Sequence, residues 1–183
     1  MAPEQRNFAA QAWSSDDSKL PGKDAPYFLK NGAGPAYEVG GLVCRPLITP
    51  AETVGKFSIS SIEGAEQLHG SSIFANAQSL RFGANVHHAF QVATGKIKFS
   101  LDNAPEALLT VGDVVYVPAG TAFRMEIVSR FAKVYAFANG SGITRVLCQL
   151  GNPYRSPVVP EEAEMVDVEG LEALQGQHGF QIC

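Results

Sequence analysis

The sequence predicts a single all-β barrel, preceded by a polar N-terminal arm and followed by a short C-terminal helix. Three observations carry that expectation. From Pro26 onward the chain is a succession of short apolar runs rich in Val, Ile, Phe and Tyr, punctuated by Gly and Pro. Within these runs the clearest period is two: across residues 96–101, Ile97, Phe99 and Leu101 share one face while Lys96, Lys98 and Ser100 share the other, as in a half-buried strand. The length of 183 residues, with 45% hydrophobic and 17% charged content, suits one domain with a substantial core.

Residues 1–25 read as an arm, because Ser14, Ser15, Asp16 and Asp17 follow one another and Pro3 and Pro21 flank them. The barrel is expected over 26–160. Its runs are YEVGGLV, KFSISSI, SIFANAQSLRF, HAFQVATGKIKFSL, LLTVGDVVYVPAG, FRMEIVS and FAKVYAFA. Asp102, Asn103 and Pro105 supply one turn and Gly112-Asp113 the next. Over 161–183, Val168, Leu171 and Leu174 fall at helical spacing and Gly176 ends the pattern, which predicts a helical tail. Residues 64–78 carry no readable pattern.

Composition narrows the function classes. A formal net charge of −4, with Lys and Arg scattered singly, gives no basic footprint for a phosphate backbone, so no nucleic-acid partner is expected. Cys44, Cys148 and Cys183 form an odd set without Cys-x-x-Cys spacing, which argues for a reducing compartment over a disulfide framework or a structural zinc site. Neither a signal-peptide apolar region nor a run approaching about 18 apolar residues is present, so the expectation is a cytoplasmic protein without membrane partners.

Residues 112–123, GDVVYVPAGTAF, resemble the second sequence motif of the cupins: a Gly, five residues, then Pro-x-Gly and two residues before a His. Here Phe123 stands where that His would be. Residues 88–95, HAFQVATG, resemble the end of the first motif, in which a Glu ligand is followed by Phe, Val and Gly at these offsets, and His88 occupies the Glu position. Further similarity, through PYFLK at 26–30, GKFSI at 55–59 and the region after 140–142, is to the quercetin 2,3-dioxygenase branch. The resemblance covers roughly residues 26–180 and implies a jelly-roll barrel, the double-stranded β-helix. Many members of that branch carry two such domains in one chain; with room here for one, it implies a homodimer.

In the enzymes this chain resembles, a metal is held by a His-x-His pair, a Glu and a His from the second motif. Counting back from His88 puts the pair at Arg81 and Gly83 and the fourth ligand at Phe123, none of which can ligate. No metal and no cofactor are therefore expected. A displaced site made from His69, His87 and His88 meets a geometric objection, since His87 and His88 are adjacent on a strand and point to opposite faces.

The family parity points His88, Phe90 and Val92 into the barrel. His88 is then either a hydrogen-bonded core residue or a proton donor and acceptor. Arg81 either anchors an anionic substrate group or faces water, because a one-residue slip would put Leu80 and Phe82 inside instead. Phe123, Met125 and Ile127 share a face, with Arg124 and Glu126 opposite. Phe82, Phe90, Val92, Tyr116, Phe123 and Met125 are the candidate substrate-binding residues.

The leading expectation is a metal-independent enzyme of secondary metabolism acting on a small aromatic or polyketide-like molecule. It would work as an isomerase, cyclase or lyase, with His88 as acid or base and Arg81 as anion anchor. Two alternatives stand beside it: a quercetinase-like metal-dependent dioxygenase, and a non-catalytic binding or dimerisation module. A barrel filled by Phe82, Phe90, Phe123 and Met125 would favour the last.

Overall fold

A computed structural model describes residues 19–66, 80–82, 85–102, 104–160, 175 and 180–182. The elements run β1 (Tyr37–Val39), β2 (Leu42–Ile48), β3 (Phe57–Gly64), β4 (Leu80–Phe82), β5 (His88–Thr94), β6 (Ile97–Leu101), β7 (Ala107–Leu109), β8 (Val114–Val117), β9 (Ala122–Ile127), β10 (Ala132–Asn139), α1 (Gly142–Leu150), β11 (Asn152–Pro153) and β12 (Phe180–Ile182). The strands form a seven-stranded sheet in the order β11-β1-β2-β3-β10-β5-β8 and a five-stranded sheet in the order β12-β4-β9-β6-β7. From β5 to β10 the chain passes repeatedly between the two sheets, which wraps both around one core.

The apolar runs read from the sequence are divided by their turn residues. YEVGGLV is a hairpin, with Gly40 and Gly41 between β1 and β2. The long run at 88–101 breaks at Gly95, so β5 and β6 lie in different sheets. Gly95 has φ +80, and a Cβ there would fall 2.2 Å from the Phe131 carbonyl oxygen, so only glycine fits. The run at 108–120 divides into β7 and β8 at a turn where Asp113 Oδ2 accepts from the Thr110 N–H at 2.7 Å. The run at 72–82 is described only at β4, and the predicted tail helix lies outside the described residues apart from Gln175.

Alternation places the core. Ile97 and Phe99 of β6 are buried and Lys98 between them is exposed; Phe123, Met125 and Ile127 of β9 are buried, with Arg124 and Glu126 half-buried on the other side. Arg124 meets Glu106 of the neighbouring segment at 3.9 Å. The sheets enclose a continuous apolar cluster in which Phe82, Phe90, Phe99, Phe123 and Phe180 dominate.

Helix α1 is absent from the expectations above. It packs against β1, β2, β3 and β10, burying Ile143, Val146 and Leu147. Inward serines of β3 meet its polar groups: Ser58 Oγ donates to the Ser141 carbonyl at 3.1 Å, and Ser60 Oγ lies 2.9 Å from Thr144 Oγ1. Cys148, half-buried, packs on the core, and its hydrogen bond with Cys44, together with burial, pushes the Cys44 thiol well up. Both thiols are free.

Phe123 touches Phe82, His88, Phe90 and Phe99, with ring centroids 5.1 to 6.0 Å apart. Phe123→Ala is expected to lower unfolding free energy by about 3–5 kcal/mol in urea titrations. Lys98→Ala, on the exposed face of β6, is expected to change it by no more than about 0.5 kcal/mol.

Candidate functional site

The period of β5 turns His88, Phe90 and Val92 inward and leaves His87, before the strand, exposed. His88 is buried among rings, 4.6 Å from Phe82, 5.4 Å from Phe123 and 5.9 Å from Phe90 between centroids. Its Nε2 accepts the backbone N–H of Ile143 at 3.1 Å. That N–H is one of the donors left unpaired at a helix start, so His88 caps α1 from another strand.

An imidazole whose Nε2 accepts carries its proton on Nδ1 and is neutral. Burial among rings, and then the positive charge of neighbouring His87, lower the His88 pKa from 6.5 to about 4. The helix start works in the same direction, since its partial positive charge opposes a second proton. Gly142 belongs to the same contact: a Cβ there would lie 2.6 Å from His88 Nε2 and 2.4 Å from the Ala138 Cβ, at φ +47.

The five apolar candidates, Phe82, Phe90, Val92, Phe123 and Met125, all converge inside the barrel and are all buried against one another. Two polar candidates do not join them. On β4 it is Leu80 and Phe82 that face the core, while Arg81 is half-buried on the outer side with Nη2 2.6 Å from Asp102 Oδ2. The inward reading of Arg81 is thereby corrected, because β4 pairs with β9 in a register that sets Leu80 beside Phe123. Tyr116 is 57% exposed on β8, its hydroxyl 2.7 Å from Nδ1 of His87, and it does not line the interior. Its parity sets it beside Ala89, on the outside.

The donor set at the barrel centre does not fit a metal ion. Phe123 offers no lone pair, Arg81 is a paired cation outside, and the His88 lone pair is held by the Ile143 N–H. Gly83 and His69 lie outside the described residues. Among the described residues no three His, Cys, Asp or Glu side chains are grouped to hold an ion.

Two antiparallel sheets visited in turn and closed over one core, with the 112–120 turn segment leading into β9, define a cupin barrel. KdgF from Halomonas sp. superposes with a TM-score of 0.50 at 10% identity, over 63% of this chain and 94% of that one. In sequence the chain is similar to quercetin 2,3-dioxygenases. The chain is 26% identical over 135 residues to a quercetin 2,3-dioxygenase of Bacillus subtilis (strain 168), covering 74% of this chain and 37% of that protein. It is 26% identical over 142 residues to the Aspergillus japonicus quercetin 2,3-dioxygenase, covering 75% and 39%. No protein-family profile matches it. The fold is a cupin barrel and the sequence is similar to quercetin 2,3-dioxygenases, of whose length the chain spans well under half.

Sequence reasoning missed two sets of residues. One is the α1 start, whose capping acceptor lies 55 residues away. The other is an ionic cluster on the outer face of the larger sheet, where Glu63 meets Lys133 at 3.0 Å and Arg45 at 3.6 Å. Glu63 closes an apolar run and Lys133 interrupts another, so the sequence shows both as ordinary outward positions.

The His88 shift has a signed consequence. Above pH 6.5 the imidazole is neutral folded or unfolded; below it the unfolded chain gains the proton while the folded one resists until about pH 4. His88 therefore costs the fold up to about 3 kcal/mol as pH falls through that window. Urea unfolding from pH 7.5 to 4.5 is expected to show this loss in the wild type and not in His88→Gln, and imidazole NMR should find His88 neutral at pH 5.5.

Proposed function

We propose that this cupin is a non-catalytic module whose barrel centre serves as core and whose functional surface is outside. The observation that carries the reading is the packing around His88: aromatic rings on its sides and a helix N–H on its only lone pair. A proton-transfer enzyme needs its base to reach substrate with a pKa near the working pH. A buried, capped imidazole with a pKa of about 4 meets neither requirement. The two free thiols fit the reducing cytoplasm as its location.

The relatives are quercetin dioxygenases, which sets the decisive assay. With quercetin and the protein supplied in turn with ferrous, cupric, nickel and manganous ions, an oxygen electrode is expected to record no uptake above the protein-free solution. Uptake that a chelator abolishes would select the metal-dependent dioxygenase instead.

The same reading includes a homodimer. Ile59, Phe137, Ala89 and Tyr116 stand side by side in register on the outer face of β3, β10, β5 and β8. Phe137 is 38% exposed and Tyr116 57%, and Phe57 and Val114 extend the band. Asn139, His87, Gln91 and Ser61 border it, so among the described residues the band itself carries no carboxylate or ammonium group to oppose its copy in a two-fold pairing. Sedimentation velocity is expected to find a dimer for the wild type and a folded monomer for Phe137→Glu.

A further inference from the structure

On the same sheet, beyond the apolar band, Arg45, Ser61, Glu63, Lys133 and Tyr135 take outward positions of β2, β3 and β10, with the apolar Val43 and Leu47 among them, and alternate with the inward Cys44, Ile62 and Val134. Outward charges on a sheet ordinarily meet water. Here Arg45 is 7% and Glu63 8% exposed, because residues 25–33 and 154–157 fold over them. That cover is tied down. Tyr27 donates to the Leu47 carbonyl, Arg45 Nη2 donates to the Ser156 carbonyl at 3.0 Å, and the Tyr154 N–H donates to the Ala36 carbonyl at 2.8 Å.

The cover does not close onto the sheet. It leaves a cavity of about 530 Å³, joined through Arg45 and Lys133 to a hollow of about 270 Å³. Arg45 and Lys133 line both spaces and Arg155 stands exposed at the rim of the smaller one; among the described lining residues Glu63 is the carboxylate that faces them. Glu63 is already committed: Oε1 accepts from Ser61 Oγ at 3.1 Å and lies 3.0 Å from Lys133 Nζ, while Oε2 is 3.6 Å from Arg45 Nε. Arg45 and Lys133, both largely covered, carry one positive charge more than Glu63 offsets, and a covered charge is costly without an anion to match it. Lys133 retains two further N–H donors and Arg45 an unspent edge of its guanidinium. The opposite wall is apolar, made by Leu29, Leu47, Ile48 and the ring of Tyr135, with Lys133 Nζ 5.6 Å from that ring's centroid.

We propose that this roofed cavity binds a small amphipathic carboxylate, its anionic end between Arg45 and Lys133 and its aryl or alkyl body against Tyr135 and Leu47. The volume lies within the range of small-molecule sites, about 300–1,000 Å³. Fork geometry suits Arg45 to a carboxylate. The site lies outside the barrel and does not depend on whether the barrel is inert.

Calorimetric titration of the full chain with benzoate, 4-hydroxycinnamate and octanoate tests it, with the matching primary amides as uncharged controls. At least one carboxylate is expected to bind saturably, its amide about tenfold more weakly, with affinity falling as salt rises. Lys133→Met is expected to lose about tenfold, and Arg155→Ala, an exposed position safe for folding, about threefold. Backbone NMR shifts on binding should centre on Ser61, Lys133 and Tyr135. Absence of saturation for all three acids, equal affinity for the amides, or affinity unchanged in both variants would overturn the proposal.

Discussion

His88 is a polar group in an apolar enclosure, and the arrangement of the surrounding chain follows from how its one lone pair is paired. Left unmatched, a buried acceptor of this kind costs about 1–3 kcal/mol. The Ile143 N–H matches it, and in doing so fixes where α1 begins. A helix that starts there must come close to β5 and β10, which is why residue 142 is a glycine at φ +47 and residue 138 an alanine beneath it. Phe82, Phe90 and Phe123 then close on the imidazole from both sheets. One hydrogen bond thus joins the helix to the larger sheet, and one ring cluster joins the two sheets.

The parity of the longer strands was legible in the sequence, since a period of two over five or more residues admits one inward face. His88, Phe90 and Val92, and likewise Phe123, Met125 and Ile127, lie where alternation puts them. The orientation of Arg81 was not legible. Its strand has three residues, so its face is decided by the pairing of Leu80 with Phe123, a contact between positions 43 residues apart. Tyr116, a substrate-binding candidate, departs for a different reason: β8 is an edge strand on which the tyrosine faces outward. Helix α1 escaped because its own signals are weak. Its N-cap Ser141 makes no side-chain cap, its first turn has no acid, and the acceptor that replaces them comes from β5.

A metal centre and a hydrophobic core make opposite demands on the same positions. Ligands must present lone pairs to a common point and leave room for the ion; core residues must present none and fill the room. In this barrel the second demand has won at Phe123, and at His88 the lone pair is turned to a structural partner. The result is one aromatic cluster spanning both sheets, with no polar catalytic pair inside among the described residues. Arg81 is tied to Asp102 on the far side of its strand.

Strand β10 shows how the inside and the outside constrain each other. Ala132, Val134, Ala136 and Ala138 face the core, and their small size makes space for Phe90 and His88, which stand opposite Ala136 and Ala138. Lys133, Tyr135 and Phe137 occupy the intervening outward positions, reaching the ionic cluster, the apolar wall of the roofed cavity and the exposed band in turn. Shifting the strand by one residue would drive a lysine and two large rings into a core built for alanines, while emptying the outer face of every group that could bind. The packing around His88 therefore also sets the register that displays the outer surface. Any change that strains the interior, such as overpacking at Ala136, reaches the external site through this strand without touching it.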